Sequence, residues 1–494
     1  MNYEPVIGLE IHAELLTRSK MFCGCAVVDS TAAAPNTVVC PVCAGLPGTL
    51  PVINARAVEY ALRVALALNC TVPALNVFAR KNYFYPDLPK GYQISQYELP
   101  LAVDGWLDLG GRRIRIRRVH LEEDTGKLLH HAGHDGLPEH SLVDLNRAGV
   151  PLLEIVTEPD LTSVEEVRAY ATRLRALLRY LGVNSGDMEK GVIRFEANIS
   201  VRPAGSAELR SRVEVKNLNS FRAMERAVTY EIERQSRVWE SGGTVAQETM
   251  GWNEAQGATT AQRGKEHAHD YRYFPEPDLP PLVITSALTD RVRAGLPELP
   301  GAKRARFESE YGLSVYDAEL LVEDRALADY FEEVVGRQAP GVRNPKAAAN
   351  WITGELFRLL NETGGTLERV QIMPGDLAAL TGLVAEGALN LPSAKAVFEQ
   401  MYHTGRAPAS IVAEQGLAQV NDQGAIAKLV ADVLSASPAQ LREYLSGKET
   451  LEQWFFGQVM RRTQGRGNPQ VIRTALSEAL HKQRRPQAFQ TDKE

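Results

Sequence analysis

The 494-residue sequence lacks the features that mark membrane and secreted proteins. No apolar run approaches the roughly 18 to 20 residues that a membrane-spanning helix needs. The first residues contain neither a basic and then apolar signal segment nor an arginine-rich transit segment. Five cysteines do not suggest a secreted disulfide scaffold in a chain of this length. We therefore predict a cytoplasmic protein without a membrane segment.

Three common catalytic motifs are also missing. No segment matches the phosphate-binding loop G-x-x-x-x-G-K-[ST], the dinucleotide-binding glycine pattern or the G-x-S-x-G nucleophile elbow. The segment Asp124 to Leu128 lacks both the first glycine and the hydroxyl residue of the phosphate-binding loop. Any bound ATP must therefore be held by metal-bound carboxylates and basic side chains.

Charge is distributed unevenly along the chain. The net charge of −6 argues against a uniformly basic surface, although basic residues can still be concentrated locally. Residues 461–485 contain seven basic side chains and one acidic side chain, and this end could contact the phosphates of a nucleic acid. A solvated helix face explains the same composition equally well. The candidate contacts are Arg461, Arg462, Arg466 and Arg473.

The periodicity of apolar residues changes near residue 290 and predicts an α+β protein. Up to that point, strand-like alternation dominates, with helices expected from Ala55, from Ser163 and near Ser220. Helical segments separated by glycine and proline follow, and Thr404 to Pro408 resembles a linker. We expect a β-rich domain with a mixed or antiparallel sheet, then an all-helical domain, then a small helical tail, with disorder over 485–494.

Charged residues repeat on one face of several predicted strands. Because residues i and i+2 of a strand point the same way, Glu10 and His12 share a face. The same spacing places Glu196 beside Arg194 and Asn198, and Glu214 beside Lys216. Two further acidic segments, containing Glu123 and Glu154, are candidates for the same surface. A lone glutamate among apolar residues, as at Glu154, is costly unless it is paired or bound to a metal.

Carboxylates that converge with an imidazole form a site for a hard cation. Mg²⁺ favours oxygen ligands and retains water molecules, which leaves room for nucleotide phosphates. Surface ion pairs are the alternative interpretation for any single glutamate. The repeated pattern over several strands favours the metal site.

Four of the five cysteines predict a structural zinc site. Cys23-x-Cys25 and Cys40-x-x-Cys43 are separated by fourteen residues, which suits tetrahedral coordination by four thiolates. Since all four positions would be filled by protein, the site would be structural and not catalytic. The alternative is four reduced cysteines that bind no metal.

Several motifs of this sequence resemble one protein family. The similarity extends from about residue 3 to residue 484. The segments that carry it are 6–15 (VIGLEIHAEL), 80–87 (RKNYFYPD), 91–96 (GYQISQ), 120–124 (HLEED), 144–147 (DLNR), 214–220 (EVKNLNS), 270–278 (DYRYFPEPD) and 465–469 (GRGNP). The chain resembles the B subunits of the bacterial Glu-tRNA(Gln)/Asp-tRNA(Asn) amidotransferases.

The resemblance implies a catalytic cradle domain over 1–293, a helical domain over 294–405 and a tRNA-binding tail domain over 406–484. It implies ATP and Mg²⁺ as cofactors, with Mg²⁺ on His12, Glu123 and Glu154 and a second cation on Glu10 and Glu196. Glu196 stands where we expect the family to have aspartate. Lys81 and Lys216 would assist nucleotide binding, and Glu10, His12, Glu123 and Glu154 would form the catalytic set.

The resemblance also implies partners and a reaction. ATP would activate the side-chain carboxylate of Glu on tRNA(Gln) or Asp on tRNA(Asn), and ammonia would then convert it to the amide. The expected partners in a heterotrimer are an amidase (A) subunit, which releases ammonia from glutamine, and a small C subunit. A non-discriminating aminoacyl-tRNA synthetase is a further candidate partner.

Two other functions compete with this interpretation. The first is a zinc-stabilised RNA-binding scaffold without catalysis, but acidic strand faces repel phosphate unless a metal intervenes. The second is a free-standing ligase that acts on a small carboxylic acid. The helical extension with its basic end argues against that ligase, and activity without tRNA would favour it.

Overall fold

The computed structural model describes residues 2–132, 138–262, 271–419 and 422–484. The chain forms two compact units, Met1–Lys303 and Arg304–Glu494. The predicted disordered segment 485–494 lies outside the described residues. In the described ranges, no helix combines the length and apolar character needed to cross a membrane.

The first unit contains the strands. They are β1 (Tyr3–Glu14), β2 (Leu75–Asn76), β3 (Phe78–Asn82), β4 (Tyr92–Gln96), β5 (Ala102–Asp108), β6 (Arg113–Glu123), β7 (Lys127–Ala132), β8 (Pro138–Asp144), β9 (Pro151–Thr157), β10 (Ile193–Pro203), β11 (Val213–Leu218), β12 (Glu248–Asn253), β13 (Ala258–Ala261), β14 (Phe274–Pro275) and β15 (Leu282–Val283). Its helices are α1 (Ala55–Ala67), α2 (Val164–Tyr180), α3 (Phe221–Glu240) and α4 (Ser286–Ala294).

Eight of these strands form the main sheet, in the order β13-β12-β11-β10-β1-β9-β6-β5. Strand β1 lies between β10 and β9 and is antiparallel to both. The pair β11 and β12 is parallel, so the sheet is mixed. A three-stranded sheet, β14-β3-β4, and the pairs β15-β2 and β7-β8 complete the strand topology of the described residues.

The two faces of the main sheet differ in chemistry. The β1 residues Ile7, Leu9 and Ile11 are at most 1% exposed and belong to the core. Helix α3 packs on β10 and β11, and α1 packs on β6. Helix α2 begins where the side chain of Ser163 accepts a hydrogen bond from the Glu166 amide, as the capping pattern predicts. The period-two alternation therefore leaves the charged residues of the central strands on the opposite face.

Strand β4 of the small sheet contacts the end of β6. The Gln96 side chain accepts a hydrogen bond from the Leu121 amide at 3.0 Å, and the Ile94 amide donates to the Glu123 carboxylate at 2.9 Å. The Ser95 hydroxyl donates to Glu122 at 3.0 Å. These contacts bring the small sheet against the acidic end of β6.

The second unit is helical throughout its described part. The helices are α5 (Pro300–Tyr311), which begins before the unit boundary, α6 (Val315–Leu321), α7 (Arg325–Arg337), α8 (Pro345–Asn350), a π-helical turn (Trp351–Leu356), α9 (Phe357–Thr363), a 3₁₀ turn (Leu367–Arg369), α10 (Pro374–Ala385), α11 (Leu391–Thr404), α12 (Pro408–Gln415), α13 (Gln423–Ser435), α14 (Pro438–Leu445), α15 (Leu451–Arg462) and α16 (Pro469–Arg484).

The last four helices share a hydrophobic core of their own. Residues Ile426, Phe455 and Ile472 are fully buried within it. Helix α12, which lies after the predicted linker, packs instead against α10 and α11. The α+β fold class is confirmed. The three-domain boundaries remain predictions, since the chain divides into two units with the break after Lys303.

Candidate metal centres on the charged sheet face

The register of the central strands positions the candidate site. His12 on β1 lies opposite Glu154 on β9, and Glu154 in turn lies opposite His120 on β6. On the other side of β1, Glu10 lies opposite Glu196 on β10. Since directly opposed side chains lie close together, this register gathers the side chains on one face.

His12, Glu122 and Glu154 form the first potential metal-binding group. Their ligand atoms lie within 4.8 Å of one another. The distance from His12 Nε2 is 3.4 Å to Glu154 Oε2 and 3.9 Å to Glu122 Oε1. His120 Nε2 lies 3.2 Å from Glu154 Oε2 and 3.7 Å from Glu122 Oε2. The two carboxylates are therefore shared between two imidazoles.

Burial and charge act against each other in this group. Burial favours the neutral form of His12, but the Glu154 carboxylate outweighs this effect and raises the pKa of His12 to about 9. Burial would raise the pKa of Glu154, yet the charges of His120 and His12 keep that pKa well below its usual range. Hydrogen bonding to His120 likewise lowers the pKa of Glu122 against the effect of burial. A divalent cation would neutralise the same pair of carboxylates and displace the shared protons.

The donor set fits a divalent cation. It offers two carboxylate oxygens and one imidazole nitrogen within a few ångströms, and oxygen-rich sets suit Mg²⁺ and Mn²⁺. The Nδ1 atoms of His12 and His120 are buried and have no hydrogen-bond partner among the described residues. Each imidazole therefore contacts the carboxylates through Nε2 alone.

Glu123 does not join this group. Its carboxylate is paired with the Lys90 ammonium and accepts a hydrogen bond from the Ile94 amide. Neighbouring residues of a strand point to opposite sides, so Glu122 and Glu123 cannot both face His12. In the structure, Glu122 and not Glu123 lies beside His12 and Glu154, and the metal-ligand set remains a prediction.

Glu10, Glu196 and Glu214 form a second acidic group, with ligand atoms within 4.8 Å of one another. The Lys216 ammonium lies within it, 2.6 Å from Glu196 Oε2 and 3.0 Å from Glu214 Oε1. Burial raises the pKa of Glu10, and the charges of Glu154 and Glu196 raise it further. The structure adds Glu214 to the predicted pair and places the expected nucleotide ligand Lys216 as the counter-ion of this group.

Lys81 of β3 lies over the first group. Burial would lower its pKa, but the charges of Glu122, Tyr273 and Glu154 raise it. Its ammonium is 4.9 Å from the centroid of the Tyr271 ring. Lys81 therefore supplies positive charge beside the predicted phosphate-binding region.

The four cysteines come together as the spacing predicts. Cys43 Sγ lies 3.8 Å from Cys40 Sγ and 4.0 Å from Cys25 Sγ, and all four sulfurs lie within 4.8 Å of one another. Tetrahedral zinc with Zn–S bonds of about 2.3 Å requires S–S distances of about 3.8 Å. All four are free thiols, and the group is compatible with zinc.

The basic residues of the tail differ in exposure. Arg461, Arg462 and Arg473 are exposed, and we call these three the tail arginines. Arg473 lies 5.2 Å from the centroid of the Phe456 ring. Arg466 is half-buried, and its guanidinium donates to the Gly416 carbonyl at 2.9 Å. This bond connects Arg466 to the residue directly after α12, so Arg466 has a structural contact besides its predicted contact with phosphate.

Comparisons with known proteins identify the family. A family model described as the GatB/GatE catalytic domain matches residues 5–290, and one described as the GatB domain matches residues 329–480. Together they span more than half of the chain. The chain belongs to the B-subunit family of the tRNA-dependent amidotransferases.

Curated relatives cover nearly the whole chain. A protein of Roseiflexus sp. (strain RS-1) is 52% identical over 486 residues, which is 97% of this chain and 99% of the relative. A protein of Caldanaerobacter subterraneus subsp. tengcongensis is 50% identical over 98% of this chain and 100% of its own length. Both are named as B subunits of an aspartyl/glutamyl-tRNA(Asn/Gln) amidotransferase. The predicted family resemblance is confirmed, and this B subunit is part of a ligase of the amidotransferase class.

Strand alternation in the sequence indicates which of two adjacent glutamates lies beside His12. His120 and Glu122 are two apart in the same strand as Glu123, and only Glu122 shares the face of His120. The participation of Glu214 depends on the register of β10 and β11, where Asn198 lies opposite Glu214. That register is a long-range property, which alternation within one strand does not specify.

Proposed function

We propose that this protein uses ATP to activate the side-chain carboxylate of Glu on tRNA(Gln), of Asp on tRNA(Asn), or of both. The γ-phosphoryl group of ATP is transferred to a carboxylate oxygen, which gives an acyl phosphate and ADP. Ammonia then attacks the acyl carbon, inorganic phosphate leaves, and loss of a proton from nitrogen gives the amide. The observation that carries the proposal is the convergence of His12, Glu122 and Glu154 on one face of the sheet.

The first acidic group is the proposed site of Mg²⁺. When bound, Mg²⁺ would neutralise part of the negative charge of the nucleotide phosphates. His12, Glu122 and Glu154 would hold it, and Glu10, Glu196 and Glu214 are the candidates for a second cation. The His120 imidazole, 3.2 Å from Glu154, orients that carboxylate toward the site.

Positive side chains around the group support the binding of two anions. The substrate carboxylate and the triphosphate repel each other, so their approach requires compensating charge. Lys81 provides it beside Glu122 and Glu154, and Arg118 lies 3.7 Å from Glu154 Oε1. Lys216 is bound by carboxylates, so it contributes to phosphate binding only if the second acidic group rearranges.

The cysteines, the tail arginines and the partner subunits have supporting roles in this proposal. The four-cysteine group would hold a structural zinc ion that takes no part in the chemical step. The tail arginines would contact the phosphates of tRNA. Ammonia would come from an amidase (A) subunit, with a small C subunit completing the heterotrimer, as membership of the B-subunit family implies. We place the protein in the cytoplasm.

One experiment tests the activation step and its substrate. The reconstituted complex is supplied with ATP, glutamine and either Glu-tRNA(Gln) or Asp-tRNA(Asn), and both ADP and the aminoacyl product are quantified. We expect ADP release to depend on misacylated tRNA and to fall by several orders of magnitude in Glu154→Gln. Glu158→Gln, directly after the same strand, is the matched control because its carboxylate forms its ion pair with Arg117 and not with the acidic group.

The result also separates the competing functions. Normal tRNA-dependent ADP release by Glu154→Gln would reject the metal-centred mechanism. ATP turnover with a small carboxylic acid in the absence of tRNA would favour a free-standing ligase. Binding of tRNA without any ATP turnover in the complete complex would favour a scaffold.

A further inference from the structure

Lys20 is a buried cation that the proposed reaction does not use. Its side chain is fully buried in the first unit, directly before the cysteine segment. The ammonium donates to the Val38 carbonyl at 2.9 Å, to the Leu145 carbonyl at 3.2 Å and to Cys43 Sγ at 3.5 Å. These three acceptors match the three N–H donors of a lysine ammonium.

The hydrogen-bond partners of Lys20 among the described residues do not include a carboxylate. A buried charge is costly unless it is paired, and lysine is almost never fully buried without a counter-ion. Among the residues that the structure describes, no aspartate or glutamate forms an ion pair with Lys20. The Cys43 sulfur is the acceptor in contact with Lys20 that can carry negative charge. The ammonium therefore lies against one of the four sulfurs of the proposed zinc site.

The packing fixes the ammonium in this position. A side chain at Gly149 would place its first carbon 3.4 Å from Lys20 Cδ and 3.5 Å from Cys43 Cβ, so Gly149 lies close to both residues. The Gly149 backbone has a φ of +86°, which favours glycine. Its carbonyl accepts a hydrogen bond from the Met21 amide at 2.7 Å. Lys20 thus bridges the cysteine segment and the turn that leads into β9.

We propose that Lys20 is a positioning residue that provides the counter-charge of the four-cysteine zinc site. Four thiolates around Zn²⁺ carry a net charge of −2, which is unfavourable in a partly buried environment. One ammonium against one of the sulfurs halves that charge and fixes the orientation of Cys43. This inference rests on the proposed zinc site.

Lys20→Met and Lys20→Arg distinguish this role from simple packing. Methionine keeps the apolar stem and removes the charge, whereas arginine keeps the charge and disturbs the packing. The zinc affinity of the purified full-length chain is measured by competition with a chromogenic chelator. We expect Lys20→Met to lose about 10- to 100-fold in zinc affinity, the range found when groups that support metal ligands are removed. Lys20→Arg should stay within about threefold of the wild type.

Lys190→Met is the matched control, since Lys190 pairs with Asp29 of the cysteine segment at 2.8 Å but contacts no thiol sulfur. Its zinc affinity should equal that of the wild type. A structural role predicts that Lys20→Met lowers the melting temperature equally with and without zinc, and that result would overturn the proposal. Our proposal requires a larger loss in the zinc-loaded protein. If Lys20→Met fails to fold, a tenfold loss in Lys20→Arg rejects the proposal, whereas wild-type affinity supports it.

Metal analysis of the wild-type chain distinguishes a failure of the proposed zinc site from a failure of the proposed role of Lys20. A wild-type chain that contains no zinc would overturn both the zinc site and the role of Lys20. Stoichiometric zinc with unchanged affinity in Lys20→Met would overturn only the role of Lys20.

Discussion

Replacing Glu122 by glutamine removes one negative charge from the first acidic group and changes the side-chain volume little. The Glu122 side chain is 3% exposed and lies 3.9 Å from His12 Nε2. The Ser95 hydroxyl can still donate to the remaining oxygen, so we expect the fold to be retained. The variant therefore tests cation binding more than folding.

The size of the effect follows from the electrostatics of a nearly buried site. Two unit charges 4 Å apart attract each other by about 4 kcal/mol at an effective dielectric constant of about 20. A divalent ion doubles that attraction, and desolvation of the carboxylate offsets part of it. We therefore expect Glu122→Gln to lose about 3 to 4 kcal/mol of cation-binding free energy. Because about 1.4 kcal/mol is tenfold, the dissociation constant should rise by about 100- to 1,000-fold.

The assay is direct titration of the full-length chain with Mn²⁺, followed by electron paramagnetic resonance of the free ion. Glu123→Gln is the adjacent comparison, because its carboxylate pairs with Lys90 on the other side of the strand. That variant should keep its Mn²⁺ affinity within about threefold and lose about 3 kcal/mol of stability, since a nearly buried lysine is left unpaired. Equal losses of Mn²⁺ affinity in the two variants, or none in Glu122→Gln, would refute the face assignment.

Three further predictions concern stability and tRNA binding. Asp124→Asn should lower the free energy of unfolding in urea by about 3 to 5 kcal/mol, because the buried Asp124 carboxylate pairs with Arg194 at 3.0 Å. Arg115→Ala, which removes an exposed ion pair, should lower it by less than about 1 kcal/mol. Phe331→Ala should cost about 3 to 5 kcal/mol in the helical unit, since Phe331 is fully buried against Phe307 with ring centroids 5.0 Å apart; a loss below about 1 kcal/mol would contradict that packing. Replacing all three tail arginines by alanine should make the plot of log tRNA affinity against log salt concentration less steep by about 2 to 3. An unchanged slope in filter binding would exclude the three arginines as phosphate contacts.

The chemistry of the charged sheet face was predictable from strand periodicity. Alternation in β1 places Glu10 and His12 on one face, and the structure shows both there, opposite the buried Ile11. The same rule, applied from His120, would have selected Glu122 over Glu123. The motif alone does not distinguish these two adjacent glutamates, because only their position on the strand separates the two faces.

Other features depend on contacts that local patterns do not specify. The placement of Lys216 between Glu196 and Glu214 requires the register of two strands to be known. The boundary at Lys303 falls within helix α5, where the sequence has a continuous helical pattern. The packing of α12 on α10 and α11 overrides the linker-like composition before it. Tertiary packing decides each of these cases.

The position of β1 has a consequence for synthesis of the chain on the ribosome. This strand leaves the ribosome before either of its partners, yet it lies in the middle of the main sheet, between partners at residues 151–157 and 193–203. Until both partners have left the exit tunnel, the nascent chain exposes two unpaired edges of a twelve-residue strand with one apolar face, a hazard for aggregation. A chaperone that shields the amino-terminal segment during this interval would therefore increase the yield of folded protein more than one that acts on the helical half.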